Sequence, residues 1–536
     1  MKKSDNALER WLIYVVLLII IITVAVIRWH MLEIPLERDE GEYAYAAQLI
    51  LQGLPPYEHL YSMKLPGVYA AYACIVAIFG QTHVGIHLGL LLVNVITIVL
   101  VFFVARRVAD HMAGLTAAAC FALLSLGQSV QGVWTHAENF VVLLTMGGVL
   151  LLLKGTEKDR SCLLFFSGLL MGTAFLMKQH GVAFIAFGGT FILADTPRCH
   201  PVNVRRMIMQ CAVYFMGAVI PYGLACLILA LAGVFDKFWF WTIEYAMIYT
   251  SQVDLGKAWV NFTRSVMPVF DDASLIWMLA GFGLIALVYD KKLKEKSLFF
   301  FMFTAFSFIA ICPGFYFRPH YFVMVLPAAA LLSGAGISSV AHILGKTRMR
   351  NARYHLPVLL LVVCLSVSLF QQRAFLFKMT AAQACRAIYG YNPFAESLEI
   401  SKTIRVLTKK EDRIAVIGSE PQIYFYTNRR SATGYIYMYE MMKSHDFAVQ
   451  MQNEMIQEVE SARPEVLVVV NVGKSWMMRP DSHELLSFWL RKYMMKHYSL
   501  CGLAEISEKE TRYKWIPNVT WPPKNPRWVA VLKRKI

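Results

Sequence analysis

"WLIYVVLLIIIITVAVIRWHMLEIPLERDEGEYAYAAQLILQG", residues 11–53, sets an unbroken apolar run directly before a dense knot of charge. The run over 11–28 has the length and composition of a helix that crosses a hydrocarbon core of about 30 Å. The knot places Arg38, Asp39, Glu40 and Glu42 within five positions. Runs like the first recur through the chain. Of its 536 residues, 57% are hydrophobic and 16% charged, against about 25% charged in an average soluble protein. The mean hydropathy is +0.49. The fold class is therefore a polytopic α-helical membrane protein, with the charged knot beside its first span.

Eleven spans are expected, near 11–28, 84–104, 112–127, 139–153, 161–177, 180–195, 208–232, 270–289, 298–312, 321–343 and 356–371. The stretch "VYAAYACIVAIFG" (68–80) is apolar but short, and reads as a re-entrant or interfacial helix. Basic residues decide the orientation. With the N-terminus inside, "ARRVADH", "KGTEKDR", "TPRCHPVNVRR", "YDKKLKEKS" and "GKTRMRNARYH" become cytoplasmic loops. Together with the N-terminal segment they hold nineteen Lys and Arg, against seven in the longer outside segments before residue 371. That is the bias of the positive-inside rule, and counting 68–80 as a full span would reverse it. The net charge of +16 thus reports membrane orientation, and no nucleic-acid partner is expected. The first apolar run is too long for a cleaved signal peptide and no A-x-A-like site follows it, so it reads as an uncleaved span.

Residues 372–536 change character. "RIAVIGS" (413–419) and "PEVLVVVN" (464–471) are short, β-branched and bounded by turn residues, as buried strands are. Polar helical stretches fall near 394–410, 438–462 and 482–497, and "RWVAVLKR" closes the chain as a strand. The expected organisation is a transmembrane domain over 1–371, its first extracytoplasmic loop spanning 29–83, and a small extracytoplasmic α/β domain over 372–536. The ten cysteines form no CxxC pair and no zinc spacing. Most lie in apolar runs as small buried residues. Cys385 and Cys501 fall in the outside domain, where a disulfide is an option.

The charged knot has two readings. In the structural one, Asp39 caps a short helix, Glu42 completes a capping box, and Gly53 ends the helix before Pro55 and Pro56. This leaves Glu40 and Arg38 unexplained. In the functional one, a carboxylate takes the proton of an attacking hydroxyl while nearby cations hold an anionic leaving group. Such cations lie on the same side: Lys64 in "SMKLPGVY", Lys178 in "FLMKQHG", Arg318 and His320 in "FYFRPHYF". Each alone also reads as a side chain snorkelling to the headgroup level. Together, beside a carboxylate pair, they suit a lipid-linked phosphate. "VWTHAENF" (133–140) adds His136, Glu138 and Asn139. Glu138 reads equally as a third acidic site group or as the cap region of the next helix. His136, Glu138 and Glu40 have no metal-ligand spacing, so no metal is expected to be required. In the aromatic loop 233–268, Trp239, Trp241 and Tyr245 read as an interfacial belt, with sugar stacking or a prenyl groove as the alternative. "SEPQIYFYTNRRSATGY" (419–435), with Arg429 and Arg430, reads as an ordinary loop after a strand or as an acceptor-selecting segment.

As a constellation, "RDEGEYAYAAQLILQGLPPYEHLYSMKLPGVY", "THAENF", "KQHG" and "FRPHYFVMVLPAAALL" resemble the GT-C superfamily of integral-membrane glycosyltransferases, over residues 8–345. The branch they look like is the family 39-like one, with bacterial protein O-mannosyltransferases, aminoarabinose transferases and Rgt-type galacturonosyltransferases. The resemblance implies a bacterial inner-membrane enzyme that takes a sugar from a polyprenyl-phosphate donor with inversion. The acceptor would lie outside the cytoplasm: lipid A or another lipid, a cell-envelope glycan, or a protein hydroxyl. It implies Asp39 as general base and Glu40 as the group that orients the acceptor or donor sugar. It puts Lys64, Arg318, Lys178, His320 and Arg38 at the donor phosphate, and Glu138, His136, Asn139 and Tyr43 on the sugar or acceptor. The turn after Lys64 reads "KLPG" where the family commonly has "KPP". No cofactor is implied, because the donor is already activated; the chain has no P-loop or Rossmann fingerprint ahead of the spans.

Rival readings belong to other classes. A transporter or flippase of lipid-linked sugars would carry charges along several spans and paired, interrupted helices, whereas the charges here sit at span ends. An O-antigen ligase or polymerase would keep its key residues in a large late loop, whereas the dense motif is in the first. A non-catalytic membrane scaffold is the third rival.

Overall fold

The computed structural model describes residues 2–199, 203–508 and 510–535, with side-chain detail outside 2–10 and 196–199. The side chains of the basic N-terminal segment and much of the expected loop "TPRCHPVNVRR" lie outside the described residues. The bundle begins with α1 (Lys2–His30), α2 (Arg38–Leu51), α3 (Pro66–Phe79), α4 (His83–Val108), α5 (His111–Leu124) and α6 (Ala137–Lys158). It continues through α7 (Ser161–Met177), α8 (Val182–Cys199), α9 (Val204–Leu231), α10 (Leu255–Asp271) and α11 (Ser274–Tyr289). It closes with α12 (Ser297–Ile311), α13 (Leu326–Leu344) and α14 (His355–Gln371). All eleven expected spans fall on these helices, and 68–80 forms the separate short helix α3. Among the described residues, five helices are long and apolar enough to cross a bilayer, or six if α10 and α11 count as one span bent by 101°. The span expected at 270–289 thus starts after that bend, and α10 runs across α11.

Close packing inside the bundle rests on small residues. On α7, a Cβ at Gly168 or Gly172 would come within 2.0 Å of the Tyr214 or Ala218 carbonyl oxygen of α9. Small residues four apart let two membrane helices approach to backbone contact. At one end of the bundle, ion pairs tie the connecting loops together. Glu157 holds Arg107 and Lys296, Asp159 holds Arg206, and His342 bridges Asp110 and Asp290. These are the loops that the Lys/Arg bias assigns to the cytoplasm. α4 runs from this end, at Arg107, to the end where α2 lies, at His87.

α2 starts two positions earlier than expected. Glu37 is the N-cap: its carboxylate accepts from the Glu40 N–H at 2.8 Å, and the Glu40 carboxylate accepts from the Glu37 N–H at 3.2 Å. The capping box expected at Asp39 and Glu42 is therefore formed by Glu37 and Glu40. The sequence carries the same spacing in both registers. The observed one leaves Asp39 and Glu42 free for other partners, and Glu42 accepts from the hydroxyls of Tyr69 and Tyr437.

The C-terminal domain is a six-stranded sheet flanked by helices. Its strands are β1 (Arg413–Ile417), β2 (Arg430–Ser431), β3 (Val466–Asn471), β4 (Tyr498–Ile506), β5 (Thr511–Trp515) and β6 (Trp528–Arg534), in the order β2-β1-β3-β6-β4-β5. β1 and β3 pair in parallel, and β6 lies antiparallel between β3 and β4. All three expected strands are present. The helix expected from 438 begins only at Ala448, because residues 437–443 instead form a strap, with the Met438 N–H on Ser419 Oγ at 2.9 Å. Cys385 and Cys501 are both free and buried, so the optional disulfide is not formed.

The segment 419–435 docks this domain onto α2. The short helix Gln422–Thr427 approaches so closely that a Cβ on Gly41 would lie 2.6 Å from the Gln422 nitrogen. Leu36 N–H donates to Tyr426 Oη at 2.9 Å, and Ser431 N–H donates to Tyr45 Oη at 2.8 Å. Arg429 is buried on the Thr408 and Thr427 oxygens, and Arg430 reaches Gln52. The acceptor-selecting reading of this segment gives way to an internal joint. Trp241 and Tyr245 belong to the same joint: Trp241 stacks on Tyr61 at 6.0 Å, and both are buried. They form neither an aromatic belt nor a sugar platform. Gly41→Val should wedge α2 off this joint at a cost of about 1–3 kcal/mol. Limited proteolysis is expected to release residues 372–536 faster from the variant, with helix content unchanged.

Candidate active site

A cavity of about 510 Å³ lies between the α2 end of the bundle and the C-terminal strap. Glu37, Asp39, Lys64, Lys178, Arg318 and His320 line it from the bundle; Tyr439, Glu440 and Lys443 line it from the strap. Four sequence segments far apart in the chain thus meet at one place. Each arrives at the end of a helix or in a loop, where the backbone aims a side chain inward without breaking a membrane helix.

Asp39 is the centre of this wall. Lys64 Nζ lies 3.2 Å from Asp39 Oδ1 and 3.4 Å from the Tyr43 hydroxyl. Burial pushes the Asp39 carboxyl up, but Lys64, then His136 and Lys178, outweigh it and hold the group at about 2. Glu37 goes the other way: burial, then Asp39 and Glu40, raise it well above the usual carboxylate range. Two neighbouring carboxyls are therefore driven apart, Asp39 down and Glu37 up. Burial also lowers His136 and His320, so both rings are neutral near pH 7.

Several expected site residues lie elsewhere. Glu40 does not line the cavity. It is fully buried, with His87 Nε2 at 3.2 Å, and it accepts from the backbone N–H groups of Thr135 and Glu37. Its placement is that of a strut under Asp39, not of a group touching substrate. Asn139 donates to the Trp134 and His136 carbonyls and holds its own loop. Glu138 lies behind Lys178 as its ion partner, and Tyr43 sits behind Lys64. Arg38 reaches the cavity but is held by Glu420 at 3.2 Å and by the Ser419 carbonyl. Of the cations expected at a phosphate, Lys64, Lys178 and Arg38 are thus already paired with carboxylates. Arg318 forms no such pair among the described residues. Glu37 and His87 escaped the sequence reading. A Glu cap is weak as a sequence signal, and a lone His in an apolar span carries none; only the Glu37–Glu40 spacing pointed to the first.

One set of donors fits a metal ion. Asp39, His136 and His320 bring ligand atoms within 4.8 Å of one another. Both nitrogens of the buried His136 ring lack a hydrogen-bond partner. Its ring stacks on His320 at 4.3 Å. Two neutral imidazoles and a carboxylate are the donor types that hold zinc and similar cations.

Comparison with known proteins identifies the architecture. Residues 64–235 match the family model described as dolichyl-phosphate-mannose-protein mannosyltransferase. The fold is similar to ArnT from Cupriavidus metallidurans bound to undecaprenyl phosphate, with 15% identity and a TM-score of 0.58. That match covers 96% of this chain and 97% of the other. It is also similar to the archaeal oligosaccharyltransferase AglB from Archaeoglobus fulgidus in complex with an inhibitory peptide and a dolichol-phosphate. There the identity is 13% and the TM-score 0.56, over 96% of this chain and 75% of the other. The chain has the GT-C fold. No curated protein matches it by sequence.

In this GT-C chain the family match begins at Lys64 and ends before Arg318, so Asp39 and Arg318 are assigned to the cavity by geometry alone. The Glu40 strut gives the first test of that geometry. Glu40→Ala strands the His87 ring and two backbone N–H groups in the interior and should cost about 3–5 kcal/mol. A lowered thermal midpoint in detergent is expected for this variant, and a smaller drop for Asp39→Asn, which loses the stabilising ion pair with Lys64 but sits on the open wall.

Proposed function

We propose that the protein is an inverting glycosyltransferase that moves a sugar from a polyprenyl-phosphate donor to an acceptor hydroxyl outside the cytoplasm, with Asp39 as general base. The observation that carries this reading is the ionised Asp39 carboxylate, held by Lys64 on a cavity wall that also carries the carboxylate-free cation Arg318. The GT-C fold supports the substrate class, since the ArnT and AglB structures hold undecaprenyl phosphate and dolichol-phosphate. The acceptor class remains a lipid, an envelope glycan or a protein hydroxyl. Transport would need charges along the spans, and the cavity charges gather at one end of the bundle.

In the reaction, the acceptor oxygen attacks the anomeric carbon and the bond from that carbon to the phosphate oxygen breaks. The polyprenyl phosphate leaves with the electron pair, and the hydroxyl proton passes to Asp39. A carboxylate held near 2 is ionised but weakly basic. An acceptor hydroxyl that takes Lys64's place at Oδ1 restores basicity where the proton arrives. Arg318 faces the charge that grows on the leaving phosphate, where a fixed cation in a site of low dielectric is most effective. Glu37, raised by burial and lining the cavity, is placed to meet a sugar hydroxyl.

A second, metal-assisted reading is favoured by the orphaned His136 nitrogens. A divalent cation on Asp39, His136 and His320 would supply positive charge to a sugar or phosphate oxygen; the chain's own groups would still bind and orient the substrates.

The test is release of polyprenyl phosphate by purified protein, with a panel of short-chain polyprenyl-phosphate sugars and envelope extract as acceptor. A positioned base is worth about 10²–10⁴-fold, so Asp39→Asn should slow release by that factor, about 3–5 kcal/mol. Undiminished release would take the base role from Asp39. Loss on chelation, restored by zinc or magnesium, would select the metal-assisted reading. The pH profile gives an independent check. Asp39 has a depressed pKa, so it is ionised above about 2 and contributes no acid limb to kcat/KM between pH 4 and 7. In Lys64→Gln burial acts unopposed by that cation, and an acid limb should move up into this range.

A further inference from the structure

The cations that the carboxylates leave unused gather on the far wall. Lys443 Nζ lies 3.8 Å from the centre of the Tyr249 ring, Tyr249 stacks on Tyr316 at 4.5 Å, and Arg318 sits 5.6 Å over Tyr316. Arg479 lines the same cavity. Among the described residues, Arg318, Lys443 and Arg479 form no ion pair within 4.0 Å. Burial pulls the Lys443 ammonium down, Glu440 opposes it, and Arg318 and Arg479 add to the fall. Like charges converging without a paired counter-ion are costly, and an anion placed among them removes the cost.

A second groove leads to this point. It has a volume of about 760 Å³, shares Arg318 and Arg479 with the cavity, and runs along α10 past Arg264 and Lys257. α10 exposes Leu255, Trp259 and Met267 and lies at 101° to α11, as a helix in the membrane surface lies beside a span. A groove that opens along a surface helix and ends at Arg318 and Arg479, with Lys443 in the adjoining cavity, fits a phosphate carried on a lipid tail.

We propose that Lys443 and Arg479 of the C-terminal domain join Arg318 to bind the phosphate of the lipid-linked donor, with its tail leaving along the α10 groove. This rests on the glycosyltransferase reading. Lys64 and Lys178 then serve the carboxylates Asp39 and Glu138, and the soluble domain becomes a donor-binding element. The charge that accumulates on the phosphate as its bond to the sugar breaks falls on side chains from both domains.

The full-length protein is titrated with a short-chain polyprenyl phosphate and with the uncharged polyprenol of the same length. Wild type should prefer the phosphate, and the preference should weaken with salt. Lys443→Gln/Arg479→Gln should lose at least about tenfold in phosphate affinity, as loss of charge-assisted contacts does, and keep its polyprenol binding. Arg479 is exposed, so Arg479→Glu should do the same without disturbing the core. If both variants bind the phosphate like wild type, the proposal is overturned and the glycosyltransferase reading stands. If wild type itself binds phosphate no better than polyprenol, both fall. Inorganic phosphate competing as well as the polyprenyl form would overturn the role of the groove.

Discussion

A carboxylate removed from water costs several kcal/mol unless cations and hydrogen-bond donors replace the solvent. The first turn of α2 and its cap bring Glu37, Asp39, Glu40 and Glu42 together at a membrane face, so four such debts fall due within six residues. Each is met by a different part of the chain. Lys64 answers Asp39, His87 of α4 and the Thr135 N–H answer Glu40, and Tyr69 of α3 with Tyr437 of the soluble domain answer Glu42. Glu37 is answered by backbone N–H groups of its own turn and, among the described residues, by no cation at hydrogen-bond distance, and burial raises it. The packing of α2, α3, α4, the loop before α6 and the strap follows from where those partners must stand.

The same constraint separates the roles of the carboxylates. Glu40 accepts from three donors and is buried away from the cavity, and its contribution is rigidity. Asp39 has one strong partner on one oxygen and faces open space with the rest. The division of labour is thus set by how many donors each oxygen already has, not by which residues stand next to one another in sequence.

Much of the fold was legible in the sequence. Apolar runs in a membrane protein need no tertiary context to be recognised, because lipid demands helices. The β-branched runs 413–419 and 464–471 were equally plain. The charged knot was legible as a site, but its register was not, because Glu37–Glu40 and Asp39–Glu42 carry the same spacing. The partners of the knot were only half legible. Lys64 lies close in sequence and in a recognisable motif. His87 is a single polar residue in an apolar helix, and Glu420 and Tyr437 sit in a domain whose relation to α2 is a matter of long-range docking. The sequence around 419–435 looked like a loop with a task of its own. Instead its Tyr426 hydroxyl accepts from the Leu36 N–H, and its Ser431 N–H donates to Tyr45.

The docking of the soluble domain has a consequence for how the molecule comes into being. Arg38 and its partner Glu420 are 382 positions apart. At synthesis rates of about 5–20 residues per second, the first turn of α2 leaves the ribosome roughly 20–75 s before Glu420 and Tyr437 exist. Throughout that interval the loop bearing Asp39 is in place beside the first span, and one side of its pocket is open to water. Residues 437–443 must be made and docked before that side is closed. Until then Arg38 and Glu42 lack the partners that the finished chain gives them, so the geometry around Asp39 is completed only by the last third of the chain.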